Sequence, residues 1–271
     1  LPKLGWVAFR GWYAIPGAIR NITISLRAGQ WFASVQWERE VAEPAASEWP
    51  SVGIDVGISV FAALSNGKTI KPKNFGRKAL KALRKAQRSL ARKKKGSNNR
   101  RKALLRVQKQ HARVANARKD FLHKNSTIIA KNHGMVAVEK LKVRNLSASA
   151  SGTVEEPGRH IRQKSGLNRS ILDQAWRLFF TLLGYKLVER GARLVEVPPA
   201  YTSQTCSACG HVDPANRVSQ ARFVCQACGY TENADINAAK NILRRADHPL
   251  KPVEGYRIGR PCEAGSTRRA A

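Results

Sequence analysis

Acidic side chains are scarce in this sequence: 18 Asp and Glu stand against 49 Lys and Arg, a formal charge of +31 on 271 residues. A compact chain so charged repels itself unless a polyanion is present. Nucleic acid is the expected partner, because phosphates neutralise such surfaces with release of counterions. Long hydrophobic runs are missing too. No stretch of about 20 apolar residues could span a bilayer, and no charged-then-apolar leader ends in a small-residue cleavage site. These absences leave no role for a membrane, and the expectation is a soluble cytoplasmic protein. Cysteine is sparse, with five residues. Four fall in two C-x-x-C pairs, which in a reducing compartment are more often metal sites than disulfides. The fifth, Cys262, stands alone in a polar tail and reads as a free thiol. Apolar material for a core is present: 42% of residues are hydrophobic, which excludes a wholly disordered chain.

Five of the six tryptophans, Trp6, Trp12, Trp31, Trp37 and Trp49, lie in residues 1–49. Ile22-Thr23-Ile24 and the run 31–37, where large and small side chains alternate, predict a small β-structure. The chain opens at Leu1-Pro2-Lys3 without an initiator methionine, and the N-terminal part of a longer protein is expected to be missing. Residues 52–56 read as a buried strand and 61–64 as a second. Asn66-Gly67, tolerant of positive φ, predicts the turn into a third at Thr69-Ile70.

From 77 to 119 the sequence is helical and holds 18 Lys and Arg, with no acid between Asp55 and Asp120. Leu80, Leu83 and Leu90 mark an apolar stripe on a first helix. Val107, Val114, Phe121 and Ile128 recur every seven residues on a second, with the turn at 96–99. A solvated helix face normally mixes charge signs, so this one-signed hairpin points to phosphate contact. A fourth strand, 135–138, ends at Glu139. Residues 147–168 read as a mobile Ser/Gly-rich loop. An amphipathic helix is expected over 171–190, with Leu172, Ala175, Trp176, Phe179, Leu182 and Leu183 inward and Gly191 as its stop. A fifth strand covers 193–197 and a last helix 233–245. The Pro-, Gly- and Arg-rich tail, 247–271, is expected to be disordered.

Cys206-Ser-Ala-Cys209 and Cys225-Gln-Ala-Cys228 are separated by fifteen residues. Two such knuckles supply four thiolates in a tetrahedron, which satisfies Zn²⁺ and leaves no open coordination position. The centre is therefore structural. His211 is surplus to it and reads as a surface residue. Catalysis turns on three carboxylates: Asp55 on the first core strand, Glu139 at the end of the fourth, and Asp235 in the last helix. Asp55 lies between Ile54 and Val56 in a core strand, where a charge needs compensation. Hard oxygen ligands suit Mg²⁺ or Mn²⁺, and two such ions about 4 Å apart would serve phosphodiester hydrolysis. Nothing local forces the trio together, and each acid alone also reads as a turn former or an exposed ion-pair partner.

The order of elements is that of an RNase H-like α/β fold. The chain resembles the TnpB proteins of bacterial insertion sequences, which are similar to type V CRISPR effector nucleases. The residues that carry the resemblance are Val52-Gly53-Ile54-Asp55-Val56-Gly57, Val138-Glu139-Lys140-Leu141, Tyr185-Lys186, the run from Tyr201-Thr202-Ser203-Gln204-Thr205 through Cys206-Ser207-Ala208-Cys209-Gly210, and Asn233-Ala234-Asp235-Ile236-Asn237 with Ala238-Ala239-Lys240-Asn241-Ile242. The resemblance implies that Asp55, Glu139 and Asp235 are the acidic triad of a RuvC-like nuclease, with a zinc ribbon inserted before the last acid. It implies a partial β-barrel segment at 1–49 and a nuclease domain at 50–200 carrying the basic hairpin 77–131. The ribbon would then occupy 201–232 and the final helix 233–246. It further implies an RNA-guided DNA endonuclease, with guide RNA and DNA as partners and the nucleoid as its place when DNA-bound. In such systems base pairing reads sequence while the protein grips backbone. Relatives carry a recognition region and the first part of the barrel upstream, so a non-cleaving nucleic-acid-binding relic or domesticated repressor is the alternative. A zinc-ribbon protein of an RNA particle would fit the charge and cysteines but leaves the acids unexplained.

Overall fold

Alternating side chains in the N-terminal segment form a hairpin in the computed structural model, which describes residues 17–40 and 44–247 together with residues 5, 6, 8, 14 and 15. Strand β1 (Ala18–Arg27) pairs antiparallel with β2 (Gln30–Glu38). Both turn residues between them, Ala28 and Gly29, have positive φ, the backbone sense that matches strand twist in a two-residue turn. The described residues divide into two units, one combining this hairpin with residues 73–124, the other holding residues 44–72 and 125 onward.

Strand β3 (Ser51–Val56) is followed by β4 (Ala62–Leu64) and β5 (Thr69–Ile70) in an antiparallel meander. The expected turn is present: Gly67 has φ +85 and the Leu64 amide donates to the Lys68 carbonyl at 2.8 Å.

The basic segment forms the expected antiparallel pair, α1 (Phe75–Ala91) and α2 (Asn98–Asn132). Arg100 fastens the closed end by donating to the Leu90 and Lys93 carbonyls, each at 3.2 Å. Phe75 and Phe121 meet edge-on at 5.9 Å near the open end. Two expectations are corrected. Asn98 and Asn99 already belong to α2, because the Ser97 hydroxyl caps it by accepting from the Arg100 amide at 3.2 Å. The seven-residue seam also fails at its last member: Val107 is buried but Ile128 is 60% exposed. A straight helix drifts by about 20° per heptad, so the buried line moves to Leu122, Ile129 and Ala130.

Strand β6 (Met135–Glu139) leads through a short α3 (Val143–Leu146) to α4 (Ile161–Gln174), α5 (Trp176–Val188) and β7 (Arg193–Val197). The expected loop at 147–168 is thus helical from 161, held by Lys164 donating to the Leu146 carbonyl and Asn168 to that of Ala148. The single helix expected over 171–190 is two. Ala175 breaks it with φ 55 and ψ 44, so Leu172 follows the frame of α4 and is 56% exposed while Trp176, Phe179, Leu182 and Leu183 are buried. Gly191, with φ +65, stops α5 as expected; a Cβ there would lie 1.8 Å from the Ala45 carbonyl oxygen.

Strands β8 (Arg222–Val224) and β9 (Thr231–Asn233) pair antiparallel, and β9 runs into α6 (Ala234–Asp247). The Asn233 side chain caps that helix, accepting from the amides of Asp235 and Ile236 at 3.0 and 3.2 Å. The expected tail lies, from 248 onward, outside the described residues, as does Cys262.

The result is a mixed α/β arrangement. One five-stranded sheet has the order β5-β4-β3-β6-β7, with β3, β6 and β7 mutually parallel. Successive strand residues point to opposite faces, so Gly53 and Asp55 share one face, as do Ala137 and Glu139. Helix α6 lies on that face. A Cβ on Gly53 would sit 2.0 Å from the Ala239 carbonyl oxygen, and Ile242 packs on Ala137 and Val197. Small residues at Gly53 and Ala137 let the helix approach closely; the next residues on the same face are the two acids. No helix among the described residues is long and apolar enough to cross a membrane.

Candidate active site and metal centre

The four cysteine sulfurs converge. Cys206 Sγ lies 3.8 Å from Cys228 Sγ, Cys209 Sγ lies 3.6 Å from Cys225 Sγ, and all four are within 4.8 Å of one another. A disulfide would need about 2.0 Å. Sulfurs each about 2.3 Å from a central zinc lie about 3.8 Å apart in a tetrahedron, so the donor set and its spacing fit that ion. Gly210 and Gly229 take φ +82 and +72, as the turn after each knuckle requires. The Cys225 thiol is drawn down to about 6, first by the Cys228 amide. For Cys228 the Tyr230 amide also favours the thiolate, but the neighbouring sulfurs outweigh it and push the thiol up to about 12. Four sulfurs held this close repel one another as thiolates, and a bound cation relieves that repulsion. The His211 side chain lies outside the set, 3.8 Å from Asp213, while its carbonyl accepts from the Cys206 amide.

Asp55, Glu139 and Asp235 line one cavity of about 310 Å³ at the carboxyl ends of β3 and β6. The register of the parallel pair ends at Ile54–Val138, so Asp55 and Glu139 emerge side by side one residue later. Asp235 enters from the first turn of α6. The three carboxylates are more loosely grouped than the thiols, which form the one cluster of three or more metal-type ligands within 4.8 Å among the described residues. Burial pushes Asp55 up to about 8, with the charges of Glu139 and Asp235 adding to it and Arg217 and the Val56 amide opposing. Burial also raises Glu139, against a hydrogen bond from Thr202 and the charge of Arg245. It raises Asp235 as well, against Arg217. A buried, mutually repelling carboxylate set has the donor chemistry that a hard divalent cation takes.

Two residues of this cavity have no role assigned from the sequence. Arg217, between the knuckles, donates from Nη2 to Asp235 Oδ1 at 3.3 Å and to the Gln220 carbonyl at 3.1 Å. Gln220 in turn reaches Ser59 Oγ, beyond β3, at 3.0 Å. Thr202 donates to Glu139 Oε1. Neither has a local signal: one is a single cation among many, the other one hydroxyl in a polar run. The cysteine region is also bolted to α6. Asn237 donates to the Thr205 carbonyl and accepts from the Ser207 amide, both at 2.9 Å, and Asn241 donates to the carbonyls of Thr202 and Thr205.

Residues 34–150, which include Asp55 and Glu139, match a family model described as "Probable transposase" (OrfB_IS605). Residues 176–242, which include the four cysteines and Asp235, match "Cas12f1-like, TNB domain". A "Putative RNA-guided DNA endonuclease InsQ" of Escherichia coli K12 is 47% identical over 98% of this chain and 66% of its own length. The chain belongs to the TnpB-type family of insertion-sequence proteins. A second relative, a "Putative RNA-guided DNA endonuclease" of Streptomyces pristinaespiralis, is 37% identical over 82% of this chain and 52% of its own length. The chain thus spans between about half and two thirds of these curated relatives. One solved structure, "Cryo-EM structure of CRISPR-Cas12f Ternary Complex", is a partial likeness, at 23% identity and a TM-score of 0.48 over 79% of this chain and 42% of that one.

Proposed function

We propose that this TnpB-type chain carries the nuclease centre of an RNA-guided DNA endonuclease, with Asp55, Glu139 and Asp235 as its acidic triad. The observation that carries the reading is that one cavity collects acids from β3, β6 and α6, far apart in sequence, beside Arg217. The sheet order, an antiparallel meander continued by two parallel strands, supports an RNase H-like, RuvC-like domain over 50–200, interrupted by the basic hairpin 77–131 and closed by the helix at 233–246. The cysteines make 201–232 a Zn²⁺ ribbon inserted before the last acid. Residues 1–49 belong, in this reading, to a barrel whose described part is the β1–β2 hairpin. Mg²⁺ or Mn²⁺, two ions in the full reading, would supply an activated water and charge stabilisation at the leaving oxygen. The chain's own groups do the rest. Asp55, Glu139 and Asp235 hold the cations. Arg217, tied to the site through Asp235, presents a guanidinium to a phosphate.

The basic hairpin is the backbone grip. Arg77, Lys81, Arg84 and Arg88 fall along one side of α1 and, with Arg92 just past its end, border a groove of about 810 Å³ without an acid. They contact phosphates and leave base selection to pairing. Replacing Arg84, Arg88 and Arg92 by Gln should weaken RNA binding and flatten the slope of log K against log salt by about two to three. An unchanged slope would remove this grip from the reading.

The whole reading is tested by purifying the chain, sequencing the RNA that copurifies, and offering a plasmid complementary to it. Expected are DNA products that need Mg²⁺ or Mn²⁺ and vanish with EDTA. RNA and DNA binding without any metal-dependent product, on a plasmid that a longer relative cuts, favours the non-cleaving relic or repressor instead.

A further inference from the structure

We propose that Thr202 is a positioning residue for Glu139: its hydroxyl engages one carboxylate oxygen and leaves the other to face a divalent cation. The proposal rests on the nuclease reading above and adds a residue to it. Thr202 is 3% exposed, and its hydroxyl donates to Glu139 Oε1 while lying 3.1 Å from the Pro199 carbonyl oxygen. The carbonyl of Thr202 is equally committed, accepting from Asn241 Nδ2 at 2.9 Å. Asn241 is itself buried and also donates to the Thr205 carbonyl at 2.6 Å. Thr202 therefore bridges two of the site's carriers: its backbone is fixed to α6, which bears Asp235, and its side chain reaches the end of β6, which bears Glu139.

A glutamate side chain has three rotatable bonds, and a free one loses rotamer entropy when it binds an ion. A carboxylate already held by a rigid donor has met that cost in folding, which is preorganisation in the ordinary sense. The geometry also divides labour between the oxygens. The hydroxyl takes one lone pair of Oε1, so the remaining lone pairs, both of those on Oε2 among them, are left for a cation. A hydroxyl needed only for packing could be satisfied by the Pro199 carbonyl; this one spends its proton on the site acid.

The test is Mn²⁺ binding to the full 271-residue, zinc-loaded chain without nucleic acid, read from the free-ion signal in electron paramagnetic resonance. Thr202→Val should weaken Mn²⁺ about tenfold, the scale for lost partners of metal ligands, with one zinc per chain retained. Thr202→Ala, which removes the same donor in a smaller side chain, should do likewise. Thr202→Ser keeps the donor and should bind within about threefold of the parent. Glu139→Gln separates the two levels. If it abolishes tight Mn²⁺ binding while Thr202→Val and Thr202→Ala bind as the parent does, positioning by Thr202 is wrong and the metal site stands. If Glu139→Gln leaves Mn²⁺ binding untouched, the metal site and this proposal fall together. A serine variant as weak as valine also overturns the proposal, because packing rather than the hydroxyl would then account for the loss.

Discussion

Asp55→Asn should abolish metal-dependent DNA cleavage, by more than about a thousandfold, and at the same time stabilise the metal-free protein at neutral pH. The two effects have one cause. Asp55 ionises near 3.8 as a free side chain but at about 8 in the fold, raised by burial and then by Glu139 and Asp235. Below pH 3.8 the carboxyl is protonated in folded and unfolded chains alike and costs nothing. Between 3.8 and about 8 the unfolded chain releases a proton that the folded one retains, so folded stability falls as pH rises through that window. At pH 7 the accumulated cost is on the order of 4 kcal/mol. Asparagine keeps the shape and removes the titration. Its melting midpoint without divalent ions should therefore exceed the parent's at pH 7 to 8, and the gap should close toward pH 4. Adding Mn²⁺ should raise the parent's midpoint and leave the variant's nearly unchanged, because ligand binding stabilises only a fold that binds it. Nucleic-acid binding, assigned to the α1 stripe, should be retained. Cleavage by the variant, or a midpoint gap that ignores pH, would remove Asp55 from the centre.

That Asp55 was suspect is legible in sequence; that it has company is not. A carboxylate flanked by Ile54 and Val56 in a core strand signals an uncompensated charge by itself. The strands and the last helix were also readable, because each has a local mark: continuous apolar runs for β3 and β6, Asn66-Gly67 for the β4–β5 turn, Asn233 for the start of α6. Local marks fail where a tertiary contact decides. The break at Ala175 follows no Gly or Pro, and one continuous helical frame over 171–190 points Leu172 inward, whereas the frame of α4 leaves it exposed. The heptad through Val107 misjudged Ile128 because a straight helix does not keep a seven-residue period. Arg217 and Thr202 carry no local sign of their roles for a related reason. Their partners, Asp235 and Glu139, lie 18 and 63 residues away, and only the packing of the cysteine region on α6 joins them. The clue was available in Asn237 and Asn241, amides spaced four apart on an otherwise alanine-rich helix face. Such a face buries them only if backbone groups of another segment await them.

Removing zinc should abolish cleavage while sparing RNA binding. Thiolate zinc sites contribute folding free energy outright, about 10–16 kcal/mol in isolated zinc-finger peptides, so the proposed ribbon, with only two short strands, is expected to lose its shape without the ion. Its own core is small: Phe223, Ala234 and the Cys206 and Cys225 side chains, with Tyr230 packed against them. The ribbon is tied to the acid cavity at several points. Arg217 leaves it to meet Asp235, Gln220 latches it to Ser59, and Asn237 and Asn241 bind α6 to the stretch from Thr202 to Ser207. Melting it therefore withdraws the guanidinium, loosens α6, which carries Asp235, and releases the Thr202 hold on Glu139. Cys225→Ser, or chelation of the parent, should reduce zinc from one per chain to none and open residues 201–232 to proteolysis. Guided cleavage should drop below detection, with affinity for RNA changed by no more than about twofold, because the α1 stripe belongs to the other unit. A ribbon that melts on chelation while cleavage persists would show that the metal centre and the nuclease centre are neighbours without being coupled. Loss of RNA binding together with zinc would instead move part of the grip from α1 to the ribbon.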